Sequence, residues 1–217
     1  MRDAAEPVGH LDLGIDLGLK SQIACSDDII YSRENLTRTH ATALAMAQRA
    51  HKKRRVKALQ ATMANIRKDW THKATTAITR RGKLRVIGNV SSATLVKTPF
   101  ATSTYDAAWG IVRRQLPYKA RRLAGVCVDG NERCSSVTCS ACGARSGPRG
   151  LSALGVRTWG GPCCGVMHER DVNAARNILA FRSGRATPSK GIPVLEGGED
   201  VKRTSYALHH LPVAFYP

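Results

Sequence analysis

The sequence contains few aromatic residues and no long apolar run. Phe, Trp and Tyr make up 5% of the 217 residues, so the core of a folded domain must rely on Val, Leu, Ile and Ala. A membrane-spanning helix needs about 18 uninterrupted apolar residues, and no segment of this sequence approaches that length. The opening MRDAAEPVGH lacks the apolar segment of a signal peptide. These absences argue against a membrane protein and against secretion, and they predict a cytoplasmic location.

Acidic residues are also scarce. Sixteen Asp and Glu stand against 34 Lys and Arg, which gives a formal net charge of +18. The imbalance is greatest between residues 35 and 128, where 20 basic residues are accompanied by two acidic ones, Asp69 and Asp106. An excess of this size predicts a polyanionic partner, usually nucleic acid. The simpler interpretation is a charged surface that only keeps the protein soluble.

Hydrophobic periodicity predicts an α/β domain. Apolar residues alternate with polar residues or glycine from Leu11 to Gly18, which is typical of a strand. Further strands are predicted at residues 22–25, 29–31, 84–87 and 124–128, and helices at 37–79, 103–122 and 171–181. Pro117 is expected to kink or end the second of these helices. Residues 1–10 are expected to form a lead-in, 91–102 a loop and 182–217 a disordered tail.

Two acidic residues draw attention through their sequence context. Asp16 lies in Gly14-Ile15-Asp16-Leu17-Gly18, where the glycines allow ligands to approach closely. Asp171 starts the last predicted helix. Phosphodiester cleavage with two divalent cations needs oxygen ligands from separate segments, and these two residues suit that demand. Each also has a simpler interpretation, Asp16 as a solvated strand residue and Asp171 as a helix N-cap.

Several motifs, in their order and spacing, resemble the C-terminal half of TnpB proteins, the RNA-guided nucleases of insertion sequences related to type V CRISPR effectors. GIDLG at 14–18 is similar to the first motif of their RuvC-like nuclease domain, and RDVNAARNIL at 170–179 to the last. AQRAHKKRRVKAL at 47–59 and DAAWGIVRRQLPYKA at 106–120 resemble its connecting helices. CSSVTCSACG at 134–143 resembles the start of its zinc ribbon.

This resemblance implies an RNase H-like (RuvC) fold, a mixed sheet with flanking helices and an inserted zinc ribbon. The nuclease part would span 11–133, the ribbon 134–168 and the closing helix 169–181. The resemblance also implies a carboxylate triad that holds catalytic Mg²⁺, with Asp16 as its first member and Asp171 as its last. The middle glutamate of the family would fall at Gly88. Either activity is lost, or Glu132, after the neighbouring strand, supplies the carboxylate, which is the alternative we favour.

A structural Zn²⁺ is implied as well, although the cysteines depart from the family pattern. Cys139 and Cys142 have the spacing of a zinc knuckle, whereas Gly161 stands at one ligand position of the second pair. The predicted ligands are Cys139, Cys142, Cys163 and Cys164, with Cys134 or His168 as alternatives for the fourth position. A degraded ribbon that binds zinc weakly is the simpler interpretation.

The predicted nucleic-acid contacts are basic side chains on two predicted helices: Lys52, Lys53, Arg54, Arg55, Lys57, Arg113 and Arg114. They would hold phosphates without reading sequence, with DNA as the expected partner. The family places its guide-binding half before the first RuvC motif, so guide RNA and a separate polypeptide are further expected partners. Three functions follow: a Mg²⁺-dependent endodeoxyribonuclease domain, a nuclease-inactive nucleic-acid-binding protein, or a decayed transposon remnant.

Overall fold

A mixed five-stranded sheet, in the order β3-β2-β1-β4-β5, forms the centre of the fold. The computed structural model describes residues 11–89, 101–149, 153 and 155–182, all within one unit that spans residues 1–187. The strands are β1 (Leu11–Asp16), β2 (Ile23–Cys25), β3 (Ile30–Tyr31), β4 (Gly82–Gly88) and β5 (Val126–Gly130). β1, β4 and β5 are parallel, whereas β2 and β3 are antiparallel to their neighbours. β6 (Thr158–Gly160) and β7 (Met167–Glu169) form a separate antiparallel hairpin.

Six helices accompany the strands in the described part of the chain. They are α1 (Leu36–Thr39), α2 (Ala41–Arg49), α3 (Lys53–Arg81), α4 (Ala101–Ala107), α5 (Trp109–Arg122) and α6 (Arg170–Arg182). The expected lead-in, most of the expected loop at 91–102 and the expected tail after Arg182 lie outside the described residues. Residues 101 and 102 belong to α4 and not to a loop.

The prediction of one continuous helix over 37–79 is wrong, because the chain turns twice before α3 begins. His40 separates α1 from α2. His51, in the left-handed backbone region with a φ of 51°, lies between α2 and α3. Neither turn contains Gly or Pro, so the sequence carries no signal for it. α3 is consequently the one long helix, with 29 residues.

The helix predicted at 103–122 is interrupted at Ala108 and not at Pro117. Ala108 has a left-handed φ of 57°, whereas Pro117 lies inside α5, which continues to Arg122. The turn at Ala108 brings Trp109 into the core, where its indole Nε1 donates a hydrogen bond to the Gly18 carbonyl at 3.0 Å. The burial of this large aromatic ring favours the turn, because such a side chain contributes about 1.5–3 kcal/mol on transfer from water.

The two faces of the sheet are covered by different helices, because side chains alternate along each strand. On one face, Leu13 and Ile15 of β1 pack in a core with residues of α3 and α5, including Ile78, Val112 and Leu116. On the other face, Gly14 lies against α6. A Cβ atom at Gly14 would stand 1.9 Å from the Ala175 carbonyl oxygen. The close approach of α6 therefore requires glycine at this position.

Candidate metal centres and nucleic-acid interface

Asp16 ends β1 on the face of the sheet that carries α6. The alternation that points Gly14 toward α6 also applies to Asp16, two residues later. Ile15 pairs with Ile87 of β4, and Gly88 pairs with Gly130 of β5. The three parallel strands thus end at one edge of the sheet, and their last residues lie at the same level.

Asp171 approaches this edge from the first turn of α6. The residue is 8% exposed, and a Cβ atom at Gly18, two residues beyond β1, would lie 3.9 Å from its Oδ2. Glu169, not Asp171, caps the helix, because its Oε2 accepts the backbone N–H of Val172 at 2.7 Å. The interpretation of Asp171 as a helix N-cap is therefore unnecessary. Its carboxylate is available for other contacts.

Glu132 lies beside Gly88, where the family pattern has its glutamate. A Cβ atom at Gly88 would stand 2.9 Å from Oε2 of Glu132 and 3.0 Å from Cδ1 of Ile178. The carboxylate of Glu132 therefore occupies the space into which a side chain at position 88 would project. Glycine at 88 and glutamate at 132 are sterically complementary.

The acidic side chains influence one another through Asp16. Burial raises the pKa of Asp16 from 3.8 to about 8, and the charges of Asp171, Glu132 and Glu169 add to the increase, while Arg170 opposes it. Neighbouring carboxylates that raise the pKa of a buried carboxyl group in this way create a site of negative potential. Oxygen ligands suit a hard divalent cation such as Mg²⁺, but the carboxylate oxygens of Asp16, Glu132 and Asp171 do not all lie within 4.8 Å of one another in the described structure.

Arg157 contributes a cation to this cluster. Its Nη1 lies 3.1 Å from Oδ2 and 3.2 Å from Oδ1 of Asp171. The Arg157 backbone carbonyl accepts the N–H of Arg170 at 2.7 Å. The sequence analysis did not identify Arg157, since an arginine distant from every motif carries no signal of its own. A cation that binds Asp171 competes with this ion pair.

A second candidate metal centre is formed by sulfur and nitrogen atoms. Within the described residues, the one group of three possible ligand atoms all within 4.8 Å of one another is that of Cys139, Cys164 and His168. The Cys139 sulfur lies 3.6 Å from the Cys164 sulfur and 3.0 Å from Nε2 of His168. This Cys/His set fits a tetrahedral ion that accepts thiolate and imidazole ligands.

The protonation properties of this cluster agree with metal binding. Burial opposes deprotonation of Cys139, but hydrogen bonds from the backbone N–H groups of Cys142 and Ala141 lower the pKa of its thiol below the usual value. Burial, together with the charge of Arg176, lowers the pKa of His168. Thiolate and neutral imidazole are the forms that bind metal ions.

The remaining predicted cysteines have different positions. Cys142 is exposed and hydrogen-bonded to Cys139 and Cys164, which leaves it next to the cluster. Cys163 is exposed and lies outside the group of three, and the Cys134 sulfur accepts a hydrogen bond from Arg145 at 3.3 Å. Of the three alternatives for the last ligand, the structure brings His168 into the group.

At Gly161, as at Gly88, the side chain of another residue occupies the space next to the glycine. A Cβ atom at Gly161 would stand 2.8 Å from the Cys164 sulfur and 3.5 Å from the Cys139 sulfur. The position where the family has a cysteine is therefore filled by the side chain of another potential ligand. The imidazole of His168 completes the group from β7, where its ring also packs against Trp159 at a centroid distance of 4.8 Å.

Two buried asparagines connect the cysteine knuckle to α6. Nδ2 of Asn173 donates to the carbonyls of Thr138 at 2.8 Å and Ser135 at 3.3 Å, and its Oδ1 accepts the N–H of Ser140 at 2.9 Å. Nδ2 of Asn177 donates to the same two carbonyls, at 2.6 and 2.7 Å. The helix α6, whose first turn carries Asp171, therefore also fixes the backbone around Cys139. The sequence analysis did not predict these hydrogen bonds, since the spacing of asparagines within a helix does not reveal their partners.

The predicted nucleic-acid contacts form one continuous exposed group and one pair. Lys52, Lys53, Arg54, Arg55 and Lys57 are all exposed at the start of α3. Arg114 is exposed on α5, whereas Arg113 is half-buried and paired with Asp129. The start of α3 has no acidic residue in its first turn, although the partial positive charge of a helix N-terminus favours acidic residues there. A polyanion at this end would compensate both sources of positive charge.

Comparison with known sequences identifies relatives over most of the chain. A family model described as "Cas12f1-like, TNB domain" matches residues 109–178. A Streptomyces pristinaespiralis protein named "Putative RNA-guided DNA endonuclease" is 36% identical over 204 residues, 86% of this chain and 49% of the relative. The Escherichia coli (strain K12) protein of the same name, InsQ, is 28% identical over 216 residues, 85% of this chain and 52% of the relative. The chain spans about half the length of the curated relatives it matches.

Two solved structures share the fold. One is a cryo-EM structure of a Cas12f1–sgRNA–target DNA complex, with a TM-score of 0.61, 18% identity and coverage of 83% of this chain and 52% of that chain. The other is a CRISPR–Cas12f ternary complex, with a TM-score of 0.54, 15% identity and coverage of 87% and 41%. The mixed α/β fold is therefore similar to that of these Cas12f structures. More particularly, the chain is a TnpB-like protein, which confirms the resemblance seen in its motifs. No helix among the described residues is long and apolar enough to cross a membrane.

Proposed function

We propose that the chain is the nuclease half of a TnpB-like, RNA-guided DNA endonuclease. The observation that carries this proposal is the electrostatic coupling of Asp16 to Asp171 and Glu132, which come from the end of β1, the start of α6 and the loop after β5. A buried carboxyl group whose pKa is raised by burial and by neighbouring carboxylates, as that of Asp16 is, destabilises a fold at neutral pH. Cation binding by these groups gives a functional reason for that cost.

In this proposal the fold is RNase H-like (RuvC). Its nuclease part spans residues 11–133, and its closing helix lies within 169–181. Asp16, Glu132 and Asp171 would hold the catalytic Mg²⁺ ions, which activate water and stabilise the leaving oxygen in phosphodiester hydrolysis. Asp16 and Asp171 supply carboxylates from fixed positions on β1 and α6. Glu132 supplies the third in the space left by Gly88, which supports a relocated glutamate over a lost one.

The segment 134–168 would form a zinc ribbon. Its proposed ligands are Cys139, Cys164 and His168, with Cys142 as the fourth. The first three have ligand atoms within 4.8 Å of one another, and Cys142 has the spacing of a zinc knuckle with Cys139. The ribbon would have a structural role, since Asn173 and Asn177 attach it to the helix that carries Asp171. Cys163, the fourth ligand expected from the sequence, has no place in this proposed set.

The proposed substrate is DNA, and the proposed guide is RNA, in accordance with the names of the curated relatives and the contents of the Cas12f1 complex. The exposed basic group at residues 52–57, with Arg114, would contact phosphates.

A cleavage assay on single-stranded DNA tests the proposal. Wild type should cut in the presence of Mg²⁺, and Glu132→Ala and Asp171→Ala should each reduce the rate by at least about 100-fold. Asp12→Ala is the matched control, because Asp12 belongs to the same strand as Asp16 but is exposed at its start. If Glu132→Ala cuts as fast as wild type, the relocated glutamate is refuted. If wild type does not cut under any Mg²⁺ concentration, the proposed activity of the isolated chain is refuted.

One observation favours a second function, a nuclease-inactive nucleic-acid-binding protein. Arg157 pairs with Asp171, and this ion pair neutralises a carboxylate that the nuclease would need for cations. Binding of DNA or RNA that weakens steeply with salt, without cleavage in Mg²⁺, would support this alternative. Cleavage that disappears in Asp16→Ala would exclude it.

A further inference from the structure

Glu132 reaches the acidic cluster from a loop and not from a paired strand. β5 ends at Gly130, two residues earlier. A carboxylate on a loop is held less precisely than one on a strand, and a cation site requires side chains whose orientation is fixed. Two neighbouring residues outside the carboxylate set contact this region: Asn89 contacts the backbone of Glu132, and Arg113 contacts the ends of the two adjacent strands.

Arg113 connects the ends of β4 and β5. Its Nη1 donates to the Gly88 carbonyl, and its Nη2 donates to Oδ1 of Asp129. Arg113 stands next to Val112 on α5, which is completely buried and fixes the helix against the core. The Arg113 guanidinium thus joins Gly88, which lies beside the Glu132 side chain, to Asp129, three residues before Glu132.

Asn89 makes the corresponding contacts at the loop itself. Its N–H donates to the Gly130 carbonyl at 3.1 Å, and its Oδ1 accepts the N–H of Glu132 at 3.3 Å. The backbone that leads into Glu132 is therefore attached to Asn89, directly after β4, at two points. Gly88 leaves the space for the carboxylate, and the two contacts determine the direction from which it enters.

We propose that Arg113 is a positioning residue that orients Glu132 for binding of a divalent cation, with Asn89 as its second support. The inference rests on the proposed function and deepens it. A guanidinium suits this role because its planar group donates to two acceptors in a fixed geometry, whereas a lysine ammonium does not reproduce that arrangement. Arg113 is thereby removed from the predicted phosphate contacts, since both terminal nitrogens already have protein partners.

The adjacent residue offers a matched control. Arg114 has the same charge and lies on the same helix, but it is exposed, and its Nε contacts only the Gly110 carbonyl of its own helix, at 3.3 Å. Replacement of Arg114 therefore removes the same charge from α5 without disturbing the loop. A long-range electrostatic effect would appear in both variants, whereas a positioning effect would appear in Arg113 variants alone.

The test is a Mn²⁺ titration of the full chain, with free Mn²⁺ measured by electron paramagnetic resonance after Zn²⁺ has been supplied. Arg113→Ala should weaken Mn²⁺ binding by about 10-fold or more, the usual effect of removing a group that orients a metal ligand. Glu132→Gln should weaken it at least as much. Arg114→Ala should leave Mn²⁺ binding unchanged, because the titration contains no nucleic acid and therefore does not measure the phosphate contact proposed for Arg114. Arg113→Lys, which keeps charge and bulk, should show an intermediate loss, and circular dichroism verifies that each variant is folded.

The outcomes separate the two proposals. If Glu132→Gln loses Mn²⁺ while Arg113→Ala and Arg113→Lys bind it as wild type does, the positioning role is refuted and the cation site stands. If Arg114→Ala weakens binding as much as Arg113→Ala, the effect is one of net charge, and the positioning role is again refuted. If wild type does not bind Mn²⁺, or Glu132→Gln has no effect, the proposed cation site fails, and the positioning role fails with it.

Discussion

Replacement of Asp16 by asparagine should stabilise the protein in the absence of Mg²⁺. The pKa of Asp16 is raised from 3.8 to about 8, so the folded state holds a proton that the unfolded state releases. Between these values the folded chain binds more protons, and its stability therefore falls as pH rises. Each pH unit costs up to about 1.4 kcal/mol. At pH 7, about three units above 3.8, the cost reaches on the order of 4 kcal/mol as an upper limit.

Asparagine keeps the size of the side chain and removes this cost. For a chain of this length, about 1 kcal/mol corresponds to roughly 2–4 °C in melting temperature, so Asp16→Asn should raise the melting temperature at pH 7 by at most roughly 8–16 °C. The difference should disappear towards about pH 3, below the unfolded-state pKa of 3.8, where Asp16 is protonated in both states. Thermal unfolding followed by circular dichroism at about pH 3, 7 and 8.5 measures both effects.

Addition of Mg²⁺ provides the second half of this test. The cation should stabilise wild type more than Asp16→Asn, because it binds the folded state and offsets the negative charges that raise the pKa of Asp16. Asp12→Asn, on the exposed start of the same strand, should have little effect in either condition. An Asp16→Asn variant that melts at or below the wild-type temperature in Mg²⁺-free buffer at pH 7 would refute the electrostatic reasoning.

Three further predictions concern the positions where the chain departs from its family or joins its two candidate centres. Cys164→Ser should reduce bound zinc well below one ion per chain by atomic absorption, whereas Cys163→Ser should retain it, and equal losses would contradict the ligand assignment. Gly88→Ala should lower the Mg²⁺-dependent cleavage rate about 10-fold or more, because its methyl group would stand 2.9 Å from the neighbouring carboxylate oxygen. Gly110→Ala, whose methyl group meets nothing within 4 Å, is its control and should cut as wild type does. Asn173→Ala should destabilise the fold by about 1–3 kcal/mol and weaken zinc binding, because buried backbone groups lose their hydrogen-bond partners. An unchanged free energy of unfolding in denaturant would contradict a stabilising role for these hydrogen bonds.

Much of the fold was predictable from the sequence, because alternation along strands is a local signal. The Leu11–Gly18 pattern predicted β1. The resemblance implied that the strands at Gly88 and before Glu132 are neighbours in the sheet, and β4 and β5 are paired as expected. The turns at His51 and Ala108 were not predictable. Both residues adopt left-handed backbone conformations, and the reason at Ala108 is the burial of Trp109, which depends on the tertiary fold.

The candidate sites also contain some features that the sequence predicted and others that it did not. The residue types and their order indicated Asp16 and Asp171, while the ion pair between Arg157 and Asp171 was not foreseen, since it depends on a loop far from Asp171 in sequence. At Gly88 the sequence showed only that a ligand was absent. The distance from that glycine to the carboxylate of Glu132 is a property of two strands in register, and it supports one of the two explanations that the sequence left open.

A crystal structure of the full chain grown with Mn²⁺ tests the central claim most directly. Anomalous scattering at the manganese edge locates the cation independently of any assumed ligand. The account predicts anomalous peaks between Asp16, Glu132 and Asp171, within about 2.0–2.6 Å of their carboxylate oxygens, with Arg157 displaced from Asp171. Manganese bound elsewhere, with Arg157 still paired to Asp171 and no peak at Asp16, would contradict it.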